Sequence, residues 1–320
     1  MQRHRDTPDA CLFTAAFISP PKARMPSRAA QQGATVSKGH ARMAKTILIT
    51  GCSSGIGYDA AHGLKAAGWK VFATCRREED CERLRSEGLT SFQLDVSDPD
   101  SIDAGFNEAL ARGRGRLDAL YNNAAFACPG ATEDIPPGAL REIFETNLFG
   151  LHDLTTRAIK VMRAQGDNGE GRILQCSSVL GFVGLRWRGA YVSTKFALEG
   201  LTDVLRLEMA DTGIKVVLIQ PGPITSNIRV NSIPPFEKWV NWEGSARRAQ
   251  YENGLLKRLY EKREPDTFEL PPSEVTKVIL KALEAPRPKA RYKITTPTKA
   301  MSVVRRLLPD PMLDWVLRKG

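Results

Sequence analysis

Short apolar runs alternate with amphipathic stretches from Lys45 to about residue 222. The amphipathic stretches carry apolar residues at helical spacing and predict helices at 56–67, 98–112, 138–165 and 190–211. The apolar runs are too short for helices and predict strands at 45–50, 70–75, 91–94, 116–121, 171–177 and 215–220. Nearly continuous apolar strands that alternate with helices are typical of a parallel sheet covered on both faces. The pattern therefore predicts a single α/β domain.

The two ends of the chain depart from this alternation. Residues 1–44 are rich in Arg, Ser, Ala, Gln and Pro without periodicity, which predicts a disordered basic extension. A transit peptide and an upstream start ahead of Met43 are the alternatives. Residues 298–320 place apolar side chains between Arg and Lys and predict an amphipathic helical segment, packed on the body or lying on a membrane surface. The domain would span 45–297, with a loop-like lid over the substrate at about 223–265.

The formal net charge of +10 is concentrated at these ends. Residues 1–45 carry +6 and residues 286–320 carry +7, which leaves about −3 for residues 46–285. A body without net positive charge does not favour nucleic-acid binding, and the basic ends alone support a membrane-surface or nucleic-acid binder. The hydrophobic fraction of 42% is ordinary for a soluble protein, and no apolar run approaches the ~18 residues that span a bilayer.

The six cysteines and four histidines do not form a metal-site pattern. No CxxC pair occurs, and the spacing of the cysteines does not repeat. Free thiols are typical of a reducing compartment, so we predict a cytoplasmic protein without a metal site.

A glycine-rich turn, TGCSSGIG, connects the first predicted strand to the first predicted helix. Gly51 permits a tight turn, Gly55 lets the backbone approach a pyrophosphate, and Gly57 lets the helix pack on the strand. The phosphates would bind free N–H groups at the helix N-terminus. We therefore predict a dinucleotide site at Gly51, Ser53, Ser54, Gly55, Ile56 and Gly57.

The end of the second predicted strand indicates which dinucleotide binds. An acid there would bind the ribose hydroxyls of NAD, but this chain has Cys75 followed by Arg76 and Arg77. A guanidinium would pair with the 2′-phosphate of NADP, so NADP(H) is favoured over NAD(H). The alternative is that Arg76 simply faces solvent.

Tyr191 and Lys195 lie four residues apart near the start of a predicted helix, which places them on one face. A free tyrosine has a pKa of about 10, and lowering it by ~3 units needs about 4 kcal/mol. A lysine ammonium at ~4 Å supplies about that energy at an effective dielectric constant of 20. This spacing also arises by chance, so the prediction depends on context. Ser178 ends a buried strand thirteen residues before Tyr191, and Asn147 lies within the preceding helix.

Together these residues resemble the short-chain dehydrogenase/reductase superfamily in its compact single-domain branch. The matching elements are TGxxxGxG at 50–57, LDV at 94–96, NNAA at 122–125, Asn147, Ser178, Tyr191 with Lys195, and PGPI at 221–224. The resemblance implies a doubly wound Rossmann-type parallel sheet of about seven strands with helices on both faces. The segments 285–292 and 305–318 look like the group related to 17β-hydroxysteroid and retinol dehydrogenases.

The resemblance also implies a role for each polar residue. Tyr191 would be the general acid/base, and Lys195 would lower its pKa and bind the nicotinamide ribose. Ser178 would orient the substrate oxygen, and Asn147 would hold a water that links Lys195 to solvent. Further cofactor contacts, from the adenine to the nicotinamide, would come from Asp95, Val96, Asn123, Ala124, Pro221, Ile224 and Ser226. Members of the family pair the helices at 138–165 and 190–211 between subunits, which implies a homodimer or homotetramer.

Two groups of residues bear on the substrate. Residues 186–188 (Arg-Trp-Arg) stand where many relatives have small apolar or Pro residues. If they face the pocket, they indicate an acid group or an extended apolar body, and if they face outward they indicate nothing. Phe236, Trp239 and Trp242 favour an apolar substrate, unless they only pack the lid.

The sequence therefore predicts an NADP-dependent oxidoreductase that interconverts an alcohol with a ketone or aldehyde on a steroid-, retinoid- or lipid-like substrate. The alternative is a catalytically silent protein that senses NADP on the same fold. The intact set of Asn147, Ser178, Tyr191 and Lys195 favours the enzyme, because a sensor has no use for a proton relay.

Overall fold

Seven parallel strands form a sheet in the computed structural model, which describes residues 44–261 and 265–318. The predicted extension at 1–44 lies outside the described residues, apart from Ala44. The strand order is β3-β2-β1-β4-β5-β6-β7, and every pair is parallel. The strands are β1 Thr46–Ile49, β2 Lys70–Cys75, β3 Thr90–Gln93, β4 Ala119–Asn122, β5 Glu170–Cys176, β6 Gly213–Gln220 and β7 Arg291–Lys293.

Helices connect these strands and continue after the last one. They are α1 Gly55–Ala66, α2 Glu78–Ser86, α3 Pro99–Arg112, α4 Pro137–Phe144, α5 Gly150–Arg163, α6 Gly189–Glu208, α7 Ile233–Trp239, α8 Arg248–Gln250, α9 Leu256–Tyr260, α10 Pro272–Glu284, α11 Thr296–Leu307 and α12 Asp310–Arg318. Wider π-helical turns occur at Glu145–Phe149, between α4 and α5, and at Tyr251–Leu255, before α9. Within the described ranges, every helix is too short or too polar to cross a membrane.

The sheet buries both of its faces. Along β1, Ile47 and Ile49 pack in one apolar cluster, and Leu48 packs in another on the opposite face, because successive side chains of a strand alternate. Helices α1 and α10 contribute to the first cluster, and α3 and α5 to the second. All four residues of β1 are buried, which explains the continuous apolar run in the sequence. The predicted α/β fold, a doubly wound parallel sheet, is confirmed.

Two of the elements that the sequence pattern did not predict, α2 and β7, have few buried apolar positions. In α2 only Cys81 and Leu84 are buried, so its charged sequence hides the helical period. Strand β7 has three residues, of which only Tyr292 is buried. The predicted helix at 138–165 is helical from 138 to 163, and its middle widens into the π turn.

Candidate active site

A cleft of about 990 Å³ lies at the carboxyl ends of the strands. The strand order reverses between β1 and β4, and doubly wound sheets bind their ligands at such a point. Most of the predicted site residues line this cleft: Gly51, Ser53, Ser54, Gly55, Ile56, Arg76, Asp95, Val96, Asn123, Ala124, Ser178, Tyr191, Lys195, Pro221, Ile224 and Ser226. Gly57 and Asn147 do not line it, and both lie behind the wall.

The glycine turn leaves a space in the cleft floor that a Cβ atom on these residues would obstruct. Gly51 has a φ of +70°, and a Cβ there would lie 2.8 Å from the Cα of Ala124. Gly55 has a φ of +58° and approaches Ser226. A Cβ on Gly57 would lie 2.3 Å from the carbonyl oxygen of Gly51, so Gly57 supports the turn from behind. The three glycines therefore keep the floor of the cleft open to a phosphate.

Hydrogen bonds hold this turn against the segment after β4. The Thr50 hydroxyl oxygen accepts from the backbone N–H groups of Asn123 and Ala124, both at 3.0 Å. The Asn123 amide donates to the carbonyl oxygens of Thr50 and Gly51, also at 3.0 Å. The β1 and β4 loops thus form one unit with a fixed spacing between the two sides of the cleft.

The N-terminus of α1 has the features of an anion-binding site. Ser54 is its N-cap residue, yet the serine side chain makes no capping hydrogen bond within the described part of the chain. The first-turn N–H groups and this hydroxyl are therefore available to a phosphate. Arg83 on α2 donates to the Ser53 carbonyl oxygen at 2.6 Å and stacks over the ring of Tyr58 at 5.4 Å. Sequence reasoning missed Arg83 because α2 itself was not predicted.

Arg76 is the candidate for the ribose phosphate. It is exposed, lines the cleft and makes no ion pair within residues 44–261 and 265–318. Its neighbour Arg77 is bound to Asp80 at 3.0 Å. The Asp95 carboxylate accepts from the backbone N–H and the hydroxyl of Ser97, at 2.9 and 2.7 Å. Asp95 is therefore held as a loop-forming side chain at the wall where an adenine would lie.

Tyr191 and Ser178 meet at the inner end of the cleft. Tyr191 lies in the first turn of α6 and is 8% exposed. Ser178 follows β5, and its oxygen accepts from the Leu180 backbone N–H at 3.1 Å, which leaves the hydroxyl proton free to donate. Burial raises the pKa of Tyr191, and the Ser178 hydroxyl and the Arg188 charge oppose this shift in part. The phenol is therefore protonated at neutral pH.

Lys195 is buried one turn further along α6. Its ammonium donates to the Cys176 carbonyl oxygen at 2.8 Å and lies 5.5 Å from the centre of the Tyr191 ring. Burial lowers the pKa of Lys195 itself. From the sequence, an ammonium at ~4 Å was predicted to lower the pKa of Tyr191. In the protein, burial of the phenol raises its pKa, so the net shift has the opposite sign.

Asn147 is fully buried in the π turn between α4 and α5. Its Oδ1 accepts from the Phe126 backbone N–H at 3.1 Å, and its amide donates to the Phe126 carbonyl at 3.0 Å and to the Thr194 hydroxyl at 3.2 Å. Thr194 in turn donates to the Tyr191 carbonyl oxygen at 2.8 Å. Both amide hydrogens are thus committed to the protein, and a water on this residue would have to use Oδ1 or the main chain.

We expect Asn147→Ala to lower the free energy of unfolding by about 2–4 kcal/mol, because it leaves the Phe126 N–H and carbonyl without partners. Denaturant unfolding measures this change. Asn107→Ala is the matched control, because Asn107 is exposed and makes one side-chain hydrogen bond, to Asp103. It is expected to change stability by less than about 0.5 kcal/mol. Equal losses in the two variants would mean that the hydrogen bonds of Asn147 to Phe126 do not stabilise the fold.

The residues singled out for the substrate divide into two sets. Arg188 lines the cleft, whereas Arg186 is exposed outside it. Trp187 packs on Tyr251 with ring centres 4.7 Å apart. Phe236, Trp239 and Trp242 belong to the apolar cluster beneath the segment 223–261 and do not line the cleft. These three aromatics therefore pack that segment, and they carry no argument about the substrate.

The apolar wall near Tyr191 comes from residues that no motif marked. The wall combines apolar side chains with polar groups from 223–261. The sequence positions of these residues look the same as those of ordinary core residues, so they could not be predicted as part of the site. The apolar members are Phe126, Ala127, Val179, Leu180, Leu185, Ile228, Pro234 and Pro235.

Comparisons with known proteins agree with this geometry. A family model described as short chain dehydrogenase matches residues 45–235. The chain is 38% identical over 276 residues to the oxidoreductase YbbO of Escherichia coli strain K12, covering 86% of this chain and 95% of that one. It is 30% identical over 278 residues to an NADPH-dependent 3-dehydrocapnine reductase of Ornithobacterium rhinotracheale, covering 85% and 95%. Human retinol dehydrogenase 8 is 33% identical over 193 residues, covering 57% and 60%.

A solved structure shares the fold at similar identity. The crystal structure of a short-chain dehydrogenase from Streptomyces avermitilis has a TM-score of 0.67 and 30% identity, covering 87% of this chain and 98% of that one. The chain belongs to the short-chain dehydrogenase/reductase family. It is a nucleotide-binding oxidoreductase, as the motifs predicted. The likeness to retinol dehydrogenase 8 supports in part the group suggested by the tail sequences.

Proposed function

We propose that this protein is an NADP-dependent enzyme that interconverts an alcohol with a ketone or an aldehyde, using Tyr191 as general acid/base. The observation that carries this proposal is the buried, protonated Tyr191 phenol against the Ser178 hydroxyl, at the end of a cleft that opens on the glycine turn. Oxidation of NADPH with a panel of ketones and aldehydes tests it. Turnover of at least one carbonyl class is expected, and NADPH binding without any turnover would support the sensor alternative.

The bound NADPH would supply the hydride. Ser178 would donate its free proton to the substrate oxygen and so hold the carbonyl toward Tyr191. Tyr191 would transfer its phenolic proton to that oxygen as the alcohol forms. A general acid must be protonated at the working pH, and the Tyr191 phenol meets this requirement. The buried ammonium of Lys195 would stabilise the resulting phenolate. A sensor would bury the Lys195 charge at a cost and gain nothing from it.

The preference for NADP depends on Arg76, which we propose pairs with the 2′-phosphate. We expect Arg76→Ala to weaken NADPH binding by about 10- to 100-fold and to leave NADH binding nearly unchanged, since a hydrogen bond to a charged group contributes about 1.5–3 kcal/mol. Fluorescence titration of both nucleotides measures this. Arg77→Ala is the neighbouring comparison, because Arg77 is already bound to Asp80, and a smaller loss is expected. Equal losses for NADPH and NADH in Arg76→Ala would contradict the assignment.

The proposed substrate is apolar along most of its length, in accordance with the aliphatic and proline wall beside Tyr191. Residues 223–261, the described part of the predicted lid at 223–265, contribute Ile228, Pro234 and Pro235 to this wall, so we propose that they close over the substrate. Steroid-, retinoid- and lipid-like carbonyl compounds share this property.

We also propose a homodimer or homotetramer that works in the cytoplasm. Exposed apolar side chains on the π turn and α6 support oligomerisation: Phe149, Phe196, Leu201, Val204 and Leu207. Light scattering distinguishes the states. The unpaired thiols at Cys52, Cys75, Cys81, Cys128 and Cys176 support a reducing compartment.

The C-terminal helices are a proposed site of peripheral membrane contact. In α11 and α12, Val303, Leu307, Met312 and Trp315 are 55–73% exposed, and Arg305 and Arg306 flank them. Such a surface is typical of helices that lie in a bilayer interface. Sedimentation with anionic vesicles tests this contact, and a protein that stays in the supernatant at low salt would contradict it.

A further inference from the structure

Arg188 is fixed in the wall of the cleft three residues before Tyr191. Hydrogen bonds hold the backbone around it. The Gly130 N–H donates to the Trp187 carbonyl oxygen at 3.0 Å, and the Arg188 N–H donates to the Leu185 carbonyl oxygen at 3.2 Å. Trp187 has a φ of +65°, which is uncommon for a bulky residue and is maintained by its packing on Tyr251. Strained backbone of this kind occurs at functional sites, and here the next residue, Arg188, lines the cleft.

The guanidinium of Arg188 is largely buried and has no carboxylate partner within residues 44–261 and 265–318. Burial lowers its pKa to about 10, and the charge of Arg258 adds to this effect. A buried cation without a counter-ion is costly unless a ligand supplies the charge. Arg188 is also the N-cap residue of α6, where the helix dipole adds further positive potential.

Arg258 brings a second guanidinium to the same cleft from α9. The end of α9 is held in place because Arg229 donates to the carbonyl oxygens of Arg258 and Glu261, at 3.0 and 3.1 Å. Arg258 makes no ion pair in the described residues either. Arg258 is exposed, and its charge lies close enough to Arg188 to lower the pKa of that residue further.

The acids elsewhere on the cleft wall do not neutralise this pair. Glu142 is bound to Lys238 and to the Trp239 indole N–H, at 2.6 and 2.8 Å. Asp80 is bound to Arg77 and Arg83. The Glu269 carboxylate accepts from the backbone N–H of Asp266 at 3.2 Å. Neither Arg188 nor Arg258 makes an ion pair with an acid of the cleft wall in the described residues.

We infer that Arg188 and Arg258 form a subsite for an oxyanion on the substrate, so that the natural substrate is an apolar carbonyl compound with a carboxylate or a similar acidic group. This inference rests on the proposed function. The cofactor phosphates are expected elsewhere, at the glycine turn and Arg76 on the β1 and β2 side, so they do not supply this anion. Guanidinium pairs bind carboxylates and related oxyanions through charge-assisted hydrogen bonds, which contribute specificity as well as affinity.

Kinetics with a matched substrate pair tests the subsite. The pair is 2-octyl-4-oxobutanoate, an aldehyde with an apolar side chain and a carboxylate close to its carbonyl carbon, and its uncharged methyl ester. With the wild-type protein, kcat/KM for the acid is expected to exceed that for the ester by about 10- to 100-fold. The ratio of the two values is the readout, because a change near Tyr191 affects the chemistry of both substrates alike. The sulfonate analogue of this aldehyde shows whether the subsite prefers carboxylate to other oxyanions.

The variants are Arg188→Gln, Arg258→Gln and the double substitution, with Arg186→Gln as the matched control outside the cleft. The acid preference is expected to fall in each single variant, to vanish in the double variant and to persist in Arg186→Gln. Equal kcat/KM for acid and ester in the wild type, or a preference that survives in the double variant, would overturn the subsite.

A binding measurement separates this inference from the proposed function. Calorimetry with dodecanoate, which has no carbonyl to reduce, is performed on the NADPH-loaded protein and again on the double variant. Loss of dodecanoate binding in the double variant without any aldehyde turnover would support the subsite and contradict the proposed reaction. Aldehyde turnover without acid preference or dodecanoate binding would support the proposed reaction and contradict the subsite.

Discussion

Replacing Tyr191 by phenylalanine is expected to lower kcat for carbonyl reduction by about 10²- to 10⁴-fold, which is the usual contribution of a positioned general acid. The substitution removes one oxygen from a buried ring and leaves the packing of α6 intact. NADPH binding and thermal stability should therefore stay close to those of the wild type. Steady-state kinetics measures the loss of kcat, and a thermal melt shows whether stability is retained.

Tyr260→Phe is the matched control for this substitution. Tyr260 ends α9, is 51% exposed and donates its hydroxyl to Glu237 outside the cleft. Its loss should leave kcat within about twofold of the wild type, in line with the small effects of most surface substitutions. Equal kcat values for Tyr191→Phe and the wild type would rule out Tyr191 as the proton donor.

Replacing Lys195 by methionine is the second change with a large expected effect. The ammonium lies 5.5 Å from the centre of the Tyr191 ring, and Coulomb's law at an effective dielectric constant of 20 gives about 3 kcal/mol, or about 100-fold in rate. Its removal should raise the pKa of Tyr191 further. Since alcohol oxidation needs the phenolate and carbonyl reduction needs the phenol, oxidation at neutral pH should lose more activity than reduction.

The stability of this variant should move in the opposite direction to its activity. Lys195 is a fully buried cation whose pKa is lowered by burial, and methionine has a similar shape without the charge. We expect an unchanged or raised melting temperature. Lys65→Met is the control, because Lys65 also donates to a backbone carbonyl, that of Gly88, but at the surface. A melting temperature that falls far below that of Lys65→Met would mean that Lys195 is primarily structural.

Much of the fold could be predicted because the buried strands leave a plain signal. In β1 every residue is buried, so the apolar run and the strand coincide almost residue for residue. Strand β2 was predicted at 70–75 and lies at Lys70–Cys75. The hydrophobic pattern of a helix or strand comes from the residues that it buries in the core. Elements that bury few residues, such as α2 and β7, therefore leave no clear pattern in the sequence.

The part of the candidate site that could be predicted is the glycine turn, where a short stretch of sequence determines the backbone conformation. The glycines at 51 and 55 have positive φ values, and a turn of this kind needs glycine there. The sign of the Tyr191 pKa shift was not predictable, because it depends on how many distant residues bury the phenol. The orientation of Arg188 depends likewise on the contact between Trp187 and Tyr251, 64 residues apart in the sequence.

The proposed reaction transfers a hydride between NADPH and a carbonyl carbon, with Tyr191 supplying the proton. Isotope transfer tests it most directly: the protein is incubated with NADPH deuterated on one or the other face of the nicotinamide, in ordinary water, with the aldehydes and ketones of the panel. The account predicts that one of the two labelled cofactors passes its deuterium to the carbonyl carbon of the alcohol product, and that Tyr191→Phe forms this product far more slowly. Alcohol product that carries no deuterium from either cofactor, or no product from any carbonyl compound, would contradict it.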